Sequence, residues 1–190
     1  MKLISFEQNG RIRIGAIEKG LIYDLHSLDS NISNTMLEFL KGGETQLKLA
    51  KKAINDSSTS IPIDSVKLLS PITNPPSVRD AYAFRQHVAT ARKNRGLDMI
   101  PEFDEIPIFY FTNHNAVFGP GDFPVLKRHT EKLDFELECA AVIGKGGRNI
   151  PVNEADDYIF GFMVMNDFSA RGLQMHEMKL NLGPAKGKDF

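Results

Sequence analysis

The sequence contains one cysteine, Cys139, so no disulfide can form within the chain. Set in the apolar run "LECAAVI", that thiol is expected to be buried and unreactive. No apolar stretch approaches the ~18 residues that a membrane-spanning helix needs. The opening "MKLISFEQNGRIRIG" turns polar too early for a secretory signal. An excess of charge is also missing. The net charge is −1, and the basic residues are scattered, with "ARKNR" (91–95) their densest cluster. This balance offers neither nucleic acid nor an anionic membrane an electrostatic reason to bind. No G-x-S-x-G, P-loop or G-x-G-x-x-G pattern occurs, and "GKGG" (144–147) reads as a turn rather than a phosphate cradle. Internal repeats and low-complexity tracts are absent. A globular protein is expected, with a cytoplasmic location.

The 190 residues are 42% hydrophobic and 25% charged, enough for a core of ordinary size. Residues 2–24 alternate in the manner of short strands, with turns at Asn9-Gly10 and Lys19-Gly20. Residues 32–41 and 44–55 have helical periodicity and are separated by Gly42-Gly43. "SSTSIPIDS" (57–65) reads as a connector. Three prolines in "SPITNPPSV" place a domain boundary near 70–77, dividing a small N-terminal β/α domain (1–70) from a second unit (71–190). In that unit "RDAYAFRQHVATARKNRG" (79–96) reads as a helix capped by Asp80. Residues 106–123 read as β-rich with a Gly-Pro-Gly turn, 133–144 as one strand and 153–158 as a helical turn. Residues 158–171 read as a buried strand running into a loop, 172–180 as a short helix and 183–190 as a loop. The second unit has few strands for a β-rich domain, so a longer parent chain is expected.

The strand at 133–144 poses a problem. In "DFELECAAVIG", Glu136 and Glu138 are two residues apart, so on a strand they project side by side and repel. An exposed, solvated edge would tolerate the pair. A divalent cation would remove the repulsion. Two further acids stand at element edges: Asp167 at the end of "IFGFMVMND" and Asp80 at the start of the 79–96 segment. Each could simply cap or turn the chain. Gathered together, Asp80, Glu136, Glu138 and Asp167 would form an oxygen-only donor set suited to Mg²⁺, Ca²⁺ or Mn²⁺ rather than zinc. His87, two helical turns beyond Asp80, would then reach a bound substrate or water. His114 and His129 are assigned no role, and His176 is expected on an exposed helix face.

Four segments in order, "RDAYAFRQHV" (79–88), "DFELECAAVIGKGG" (134–147), "GFMVMNDFSARGLQ" (161–174) and "GPAKGKDF" (183–190), resemble the fumarylacetoacetate hydrolase family. Residues 1–70 resemble the family's small N-terminal β domain less sharply. The resemblance implies an α+β, β-rich architecture with a mixed, rolled β-sheet catalytic domain, in a homodimer. It implies a Mg²⁺ or Ca²⁺ ion held at Asp80, Glu136, Glu138 and Asp167. The "RQH" string is similar to the hydrolase branch and implies His87 as the catalytic histidine. Tyr82, Arg171, Gln174 and Lys188 fall on positions that contact substrate. That branch carries a substrate arginine about nine residues after the histidine, where this chain has Gly96 with Arg95 beside it. The family's histidine-orienting glutamate and a substrate-contacting threonine lie beyond the motif that ends at Lys188.

The implied activity is metal-dependent hydrolysis of a carbon–carbon bond in a β-diketo acid, fumarylacetoacetate- or acylpyruvate-like, in aromatic-compound breakdown. Relatives of the same family decarboxylate or isomerise 2-oxo diacids on the same kind of site. A third reading, of another class, is a non-catalytic fragment or oligomerisation module.

Overall fold

The computed structural model describes residues 1–181 and 183–189. Phe190, the last residue of the "GPAKGKDF" motif, lies outside them. The chain begins with three antiparallel strands, β1 (Lys2–Gln8), β2 (Arg11–Glu18) and β3 (Leu21–Asp24). Both expected turns are present. Asn9 and Gly10 have φ of 53° and 72°, and Lys19 and Gly20 have φ of 51° and 81°. Two successive positive φ values give a turn whose twist matches that of the flanking strands. Helix α1 (Leu25–Leu28) is capped by Asp24, which accepts a hydrogen bond from the Ser27 N–H at 3.2 Å. Helix α2 (Met36–Asp56) starts at the Thr35 cap and is kinked at Gly43, whose φ of 52° is non-helical. It is therefore two helical runs broken at the glycine pair. Strands β4 (Ile61–Pro62) and β5 (Lys67–Leu68) flank the first three to complete a five-stranded sheet in the order β4-β3-β2-β1-β5.

The core lies between this sheet and α2. Ile14, Ala16, Leu25, Ile32, Met36, Phe39, Leu40 and Ala50 are buried together. Removing this much apolar surface from water drives the docking of α2 on the sheet. Val142 and Phe160, from much later in the chain, pack against the same core. Phe160 meets Phe39 edge-on with ring centroids 6.4 Å apart, a favoured aromatic geometry. The second part of the chain is thus anchored to the first.

That second part consists of antiparallel ribbons and short helices. Strand β6 (Val78–Ala81) pairs with β7 (Phe109–Thr112), and helices α3 (Arg85–Lys93) and α4 (Glu102–Glu105) lie between them in sequence. Strand β8 (Leu133–Asp134) pairs with β11 (Ser169–Ala170), and β9 (Leu137–Ile143) pairs with β10 (Ile159–Asn166). Helix α5 (Arg171–Glu177) follows directly. The architecture is α+β and β-rich, with a curled sheet arrangement, and every strand pair among the described residues is antiparallel.

Several local expectations are corrected. Residues 79–96 are not one helix: Asp80 belongs to β6, opposite Tyr110 on β7, and α3 starts only at Arg85. The ladder with β7 satisfies backbone groups that a helical turn would otherwise have paired. Asp80 and His87 therefore do not share a helix face. Of residues 106–123, only 109–112 form a strand. Residues 133–144 are interrupted between β8 and β9, and Glu136 sits in the break. The Glu136 N–H donates to Asn166 Oδ1 at 3.1 Å there, and its carbonyl accepts from the Asp167 N–H at 3.0 Å.

Cys139 is exposed, not buried. Side chains alternate across a strand, so Glu138, Ala140 and Val142 share the half-buried face of β9, and Cys139 falls on the other. The strand at 159–166 is likewise buried on one face only. On its outer face Phe162 is 68% exposed and Val164 is 76% exposed, beside Leu137 at 73%.

Candidate metal centre

Four carboxylates from four places in the chain converge. Asp80 comes from β6, Glu136 from the break before β9, Glu138 from β9, and Asp167 from the residue after β10. One ligand oxygen from each lies within 4.8 Å of the others. The β9–β10 register sets Glu138 opposite Met165, and the Glu136–Asp167 backbone bond draws the ends of those strands together. The β6–β7 ribbon supplies Asp80 from another direction.

Two cations face these acids. Lys188 Nζ is 2.7 Å from Glu136 Oε2 and 2.5 Å from Asp167 Oδ2. Arg171 Nη2 is 2.6 Å from Glu136 Oε1, and its Nε donates to Asp134 Oδ2 at 2.9 Å. Arg171 Nη1 donates to Gln174 Oε1 at 2.9 Å, so Gln174 orients the guanidinium from one turn further along α5. Lys188 and Asp167 are both buried, and a buried charge needs partners of this kind.

The acids differ in electrostatic state. Burial favours the neutral form of Glu136, but its bonds to Lys188 and Arg171 outweigh that and hold its carboxyl below the usual value. Burial is also the main influence on Asp167 and raises its carboxyl, against the Lys188 and Tyr110 bonds. Among the described residues Glu138 has no cationic hydrogen-bond partner. Burial, reinforced by the charges of Asp80, Asp167 and Glu136, pushes it up to about 7. Like-charged carboxylates in one site cannot all ionise without cost.

Tyr110 was not expected here. Its hydroxyl is 2.5 Å from Asp80 Oδ2 and 2.7 Å from Asp167 Oδ2. A phenol has one proton and can donate to one carboxylate at a time. Burial, then the bonds to both aspartates, raises its ionisation far above the ordinary phenol value. The alternation in "IFYFT" marks Tyr110 as a strand residue. Only the pairing of β6 with β7 sets it opposite Asp80.

The remaining predicted residues lie apart from the acids. His87 is an exposed residue of α3. Its ring meets Tyr82, 46% exposed, edge-on at 6.2 Å between centroids. Among the described residues no hydrogen bond or ion pair links His87 to the carboxylate cluster. Arg95, in the turn after α3, donates from Nε back to the Ala91 carbonyl at 3.1 Å. A cavity of about 220 Å³ opens beside Lys188, bordered by Tyr110, Thr112, Asn113, Pro184 and Asp189. A larger hollow of about 450 Å³ near Met1, Tyr23 and Lys51 contains none of these residues. Of these two hollows, the one beside Lys188 is lined by Tyr110 and Lys188, which bond the acids.

The charge state of Glu138 has a measurable consequence for stability. In the unfolded chain a glutamate releases its proton near pH ~4.3, whereas in the fold Glu138 keeps it to about 7. The folded state therefore binds the proton more tightly, and stability falls as pH rises through that window. In cation-free protein at pH 8, Glu138→Gln should raise stability by ~1–2 kcal/mol after discounting for solvent screening. The gain should shrink toward pH 5. Thermal melts in EDTA at the two pH values measure it. No gain at pH 8 would mean that burial and the neighbouring acids do not raise Glu138 in the cation-free fold.

The chain is similar to known proteins in both sequence and fold. The fumarylacetoacetate (FAA) hydrolase C-terminal family matches residues 77–190. The oxaloacetate tautomerase fahd2, mitochondrial, of Xenopus laevis is 30% identical over 185 residues, covering 92% of this chain and 54% of the relative. The oxaloacetate tautomerase Fahd2a, mitochondrial, of Rattus norvegicus is 32% identical over 163 residues, covering 84% of this chain and 49% of the relative. Among solved structures, a fumarylacetoacetate hydrolase from the psychrophile Exiguobacterium antarcticum superposes with a TM-score of 0.68 at 28% identity. That match covers all of this chain and 62% of the other. The chain belongs to the fumarylacetoacetate hydrolase family. It spans about half the length of the curated relatives it matches. Members of the family are enzymes, and an acidic cluster of the kind that can hold a divalent ion is present here. Among the described residues no helix is long and apolar enough to cross a membrane.

Proposed function

We propose that this chain carries the cation site of an enzyme that hydrolyses a carbon–carbon bond in a β-diketo acid, of fumarylacetoacetate- or acylpyruvate-like structure. The observation that carries the reading is the convergence of Asp80, Glu136, Glu138 and Asp167 within 4.8 Å. The donor set fits a hard divalent ion: it is all oxygen, and such an ion would offset the burial and like-charge repulsion that raise Glu138. Mg²⁺ or Ca²⁺ is the ion proposed, with Mn²⁺ admitted by the same donors. When bound, the ion supplies Lewis-acid polarisation of the substrate's paired oxygens.

The chain's own groups supply the rest. Lys188 and Arg171 present N–H donors beside the acids, where the oxyanion formed by attack on a carbonyl would need them, and Gln174 would contact the substrate from beside Arg171. Tyr82 flanks the substrate. His87 takes a proton from the attacking water as general base, and imidazole suits that task near neutral pH. As the carbon–carbon bond breaks, its electron pair leaves with the carbon next to the second carbonyl, and the proton held by His87 returns to that fragment. His87 lies on an exposed helix, so the role requires the substrate to bridge from the acids toward α3.

A second reading is keto–enol tautomerisation of an oxaloacetate-like diacid. It is favoured by the activity named for the Xenopus laevis and rat relatives, and it moves only a proton between oxygen and carbon. A homodimer and a cytoplasmic location are further proposals, although both relatives are named as mitochondrial.

The test is a substrate panel with the intact protein, after its mass is established. An acylpyruvate and a fumarylacetoacetate-like diketone would be followed by loss of diketone absorbance, and enol-oxaloacetate by its decay, each with Mg²⁺ and with EDTA. Mg²⁺-dependent loss of the diketones supports hydrolysis. Accelerated decay of enol-oxaloacetate alone selects the second reading. Activity on all three that is indifferent to EDTA would remove the cation from both.

A further inference from the structure

The turn that carries Lys188 is organised by a carboxylate outside the acid cluster. Arg171, Gln174 and Glu177 recur every three residues along α5, so they line one face of the helix. Arg171 reaches the acids, and Gln174 accepts from Arg171. Glu177 points the other way along the stripe, into residues 185–187. Its Oε1 accepts from the Ala185 N–H at 2.8 Å and the Gly187 N–H at 3.1 Å, and its Oε2 accepts from the Lys186 N–H at 2.8 Å. Three successive backbone donors thus converge on one anion, an arrangement that makes a concave nest for negative charge. The Lys188 N–H closes the same turn on the Ala185 carbonyl at 2.9 Å.

The turn is also pressed against the helix. A Cβ on Gly187 would lie 2.7 Å from Gln174 Cβ and 2.8 Å from Gln174 Cα and N. Only a glycine allows so close an approach of two backbones. Where the turn sits therefore determines where the Lys188 side chain starts, and from there its ammonium reaches Glu136 and Asp167. Among the described residues Glu177 makes no bond to those acids or to Arg171. A surface glutamate satisfied only by water would have no reason to collect three amides. Its carboxyl is held below the usual value because these backbone bonds outweigh the opposing effect of burial.

We propose that Glu177 is a positioning residue: its carboxylate sets the 185–188 turn and so aims the Lys188 ammonium at Glu136 and Asp167. The inference rests on the functional reading of Lys188, and its test has one arm independent of that reading. In that arm, intact protein in EDTA is treated briefly with acetic anhydride, and acetylation of Lys188 is measured by peptide mass against the neighbouring exposed Lys186. In the wild type, Lys188 is protected by burial and its two ion pairs. Glu177→Gln, which puts an amide N–H₂ against a backbone donor, should raise the Lys188 to Lys186 ratio on the order of tenfold, the effect of losing one charge-assisted bond. Glu177→Asp, which keeps the charge one methylene further back, should fall between the two. A folded Glu177→Gln protein with the wild-type ratio overturns the proposal. If that variant does not fold, Glu177→Asp decides in the same way.

The second arm compares turnover of Glu177→Gln, Lys188→Ala and the double variant. Equal turnover of the double variant and Lys188→Ala supports the proposal. Additive losses overturn it. Wild-type turnover of Lys188→Ala would sink the functional role of Lys188 and leave the acetylation result to judge the geometry alone.

Discussion

His87→Ala should lower turnover by ~10²–10⁴-fold, the usual worth of a positioned general base, while cation affinity stays at the wild-type level. The split follows from where the residue sits. His87 is on α3, exposed and in contact with Tyr82, whereas the four carboxylates come from β6, β9 and the segments beside β9 and β10. A side chain with no bond to the cluster can be removed without disturbing it. Turnover of the preferred panel substrate and calorimetric titration with Mn²⁺ measure the two halves of the expectation. Full activity in the variant would move the base to another residue. Loss of Mn²⁺ binding would place His87 inside the metal centre, against the geometry.

The second large effect concerns Lys188. Lys188→Met should destabilise the cation-free protein by ~3–5 kcal/mol, the range found when one partner of a buried ion pair is removed. Lys188 and Asp167 are both buried, and Glu136 is partly so. Burial works against the ammonium, but its bonds to Asp167 and Glu136 outweigh that and raise its affinity for the proton. Without it, the two acids face Glu138 and Asp80 with Arg171 as the counter-charge left among the described residues. A divalent ion would restore part of the balance, so the loss in stability should be clearly smaller in excess Mg²⁺ than in EDTA. Denaturant unfolding under both conditions makes the comparison. Equal destabilisation in the two would mean that Mg²⁺ and the Lys188 ammonium do not act on the same carboxylates.

These two expectations draw on different levels of information. The candidate residues were legible in the sequence because the relevant strings are short, ordered and chemically unusual. Two glutamates two residues apart in an apolar run, and an aspartate at the end of another, mark themselves without any structure. The hairpin turns at Asn9-Gly10 and Lys19-Gly20 and the break in α2 at Gly43 were legible for a related reason: each depends on a residue or two and on a local backbone preference. The local reading failed where a distant partner decides the outcome. Asp80 resembles a helix cap, and only the ladder to β7, 30 residues away, turns it into a strand residue. Cys139 looks buried because its neighbours are apolar. Its exposure depends on which face of β9 turns inward, and that is set by the pairing with β10 and by the packing of Val142 and Phe160 on the N-terminal core.

Tyr110 and Glu177 show the same limit within the site. A tyrosine in an aromatic strand and a glutamate at the end of a short helix carry no local mark of function. Their contacts reach atoms 30 and 57 residues away in one case and three backbone amides in the other. By itself, the sequence determined which acids and bases are available, where the chain turns, and the family to which the ordered motifs belong. Only the tertiary structure decided that four of those acids meet within 4.8 Å, that Lys188 and Arg171 stand over them, and that His87 stands apart. The physical reason is distance along the chain. Composition and periodicity act over a few residues, whereas the balance of charge in the centre is struck between groups that only strand pairing and core packing bring together.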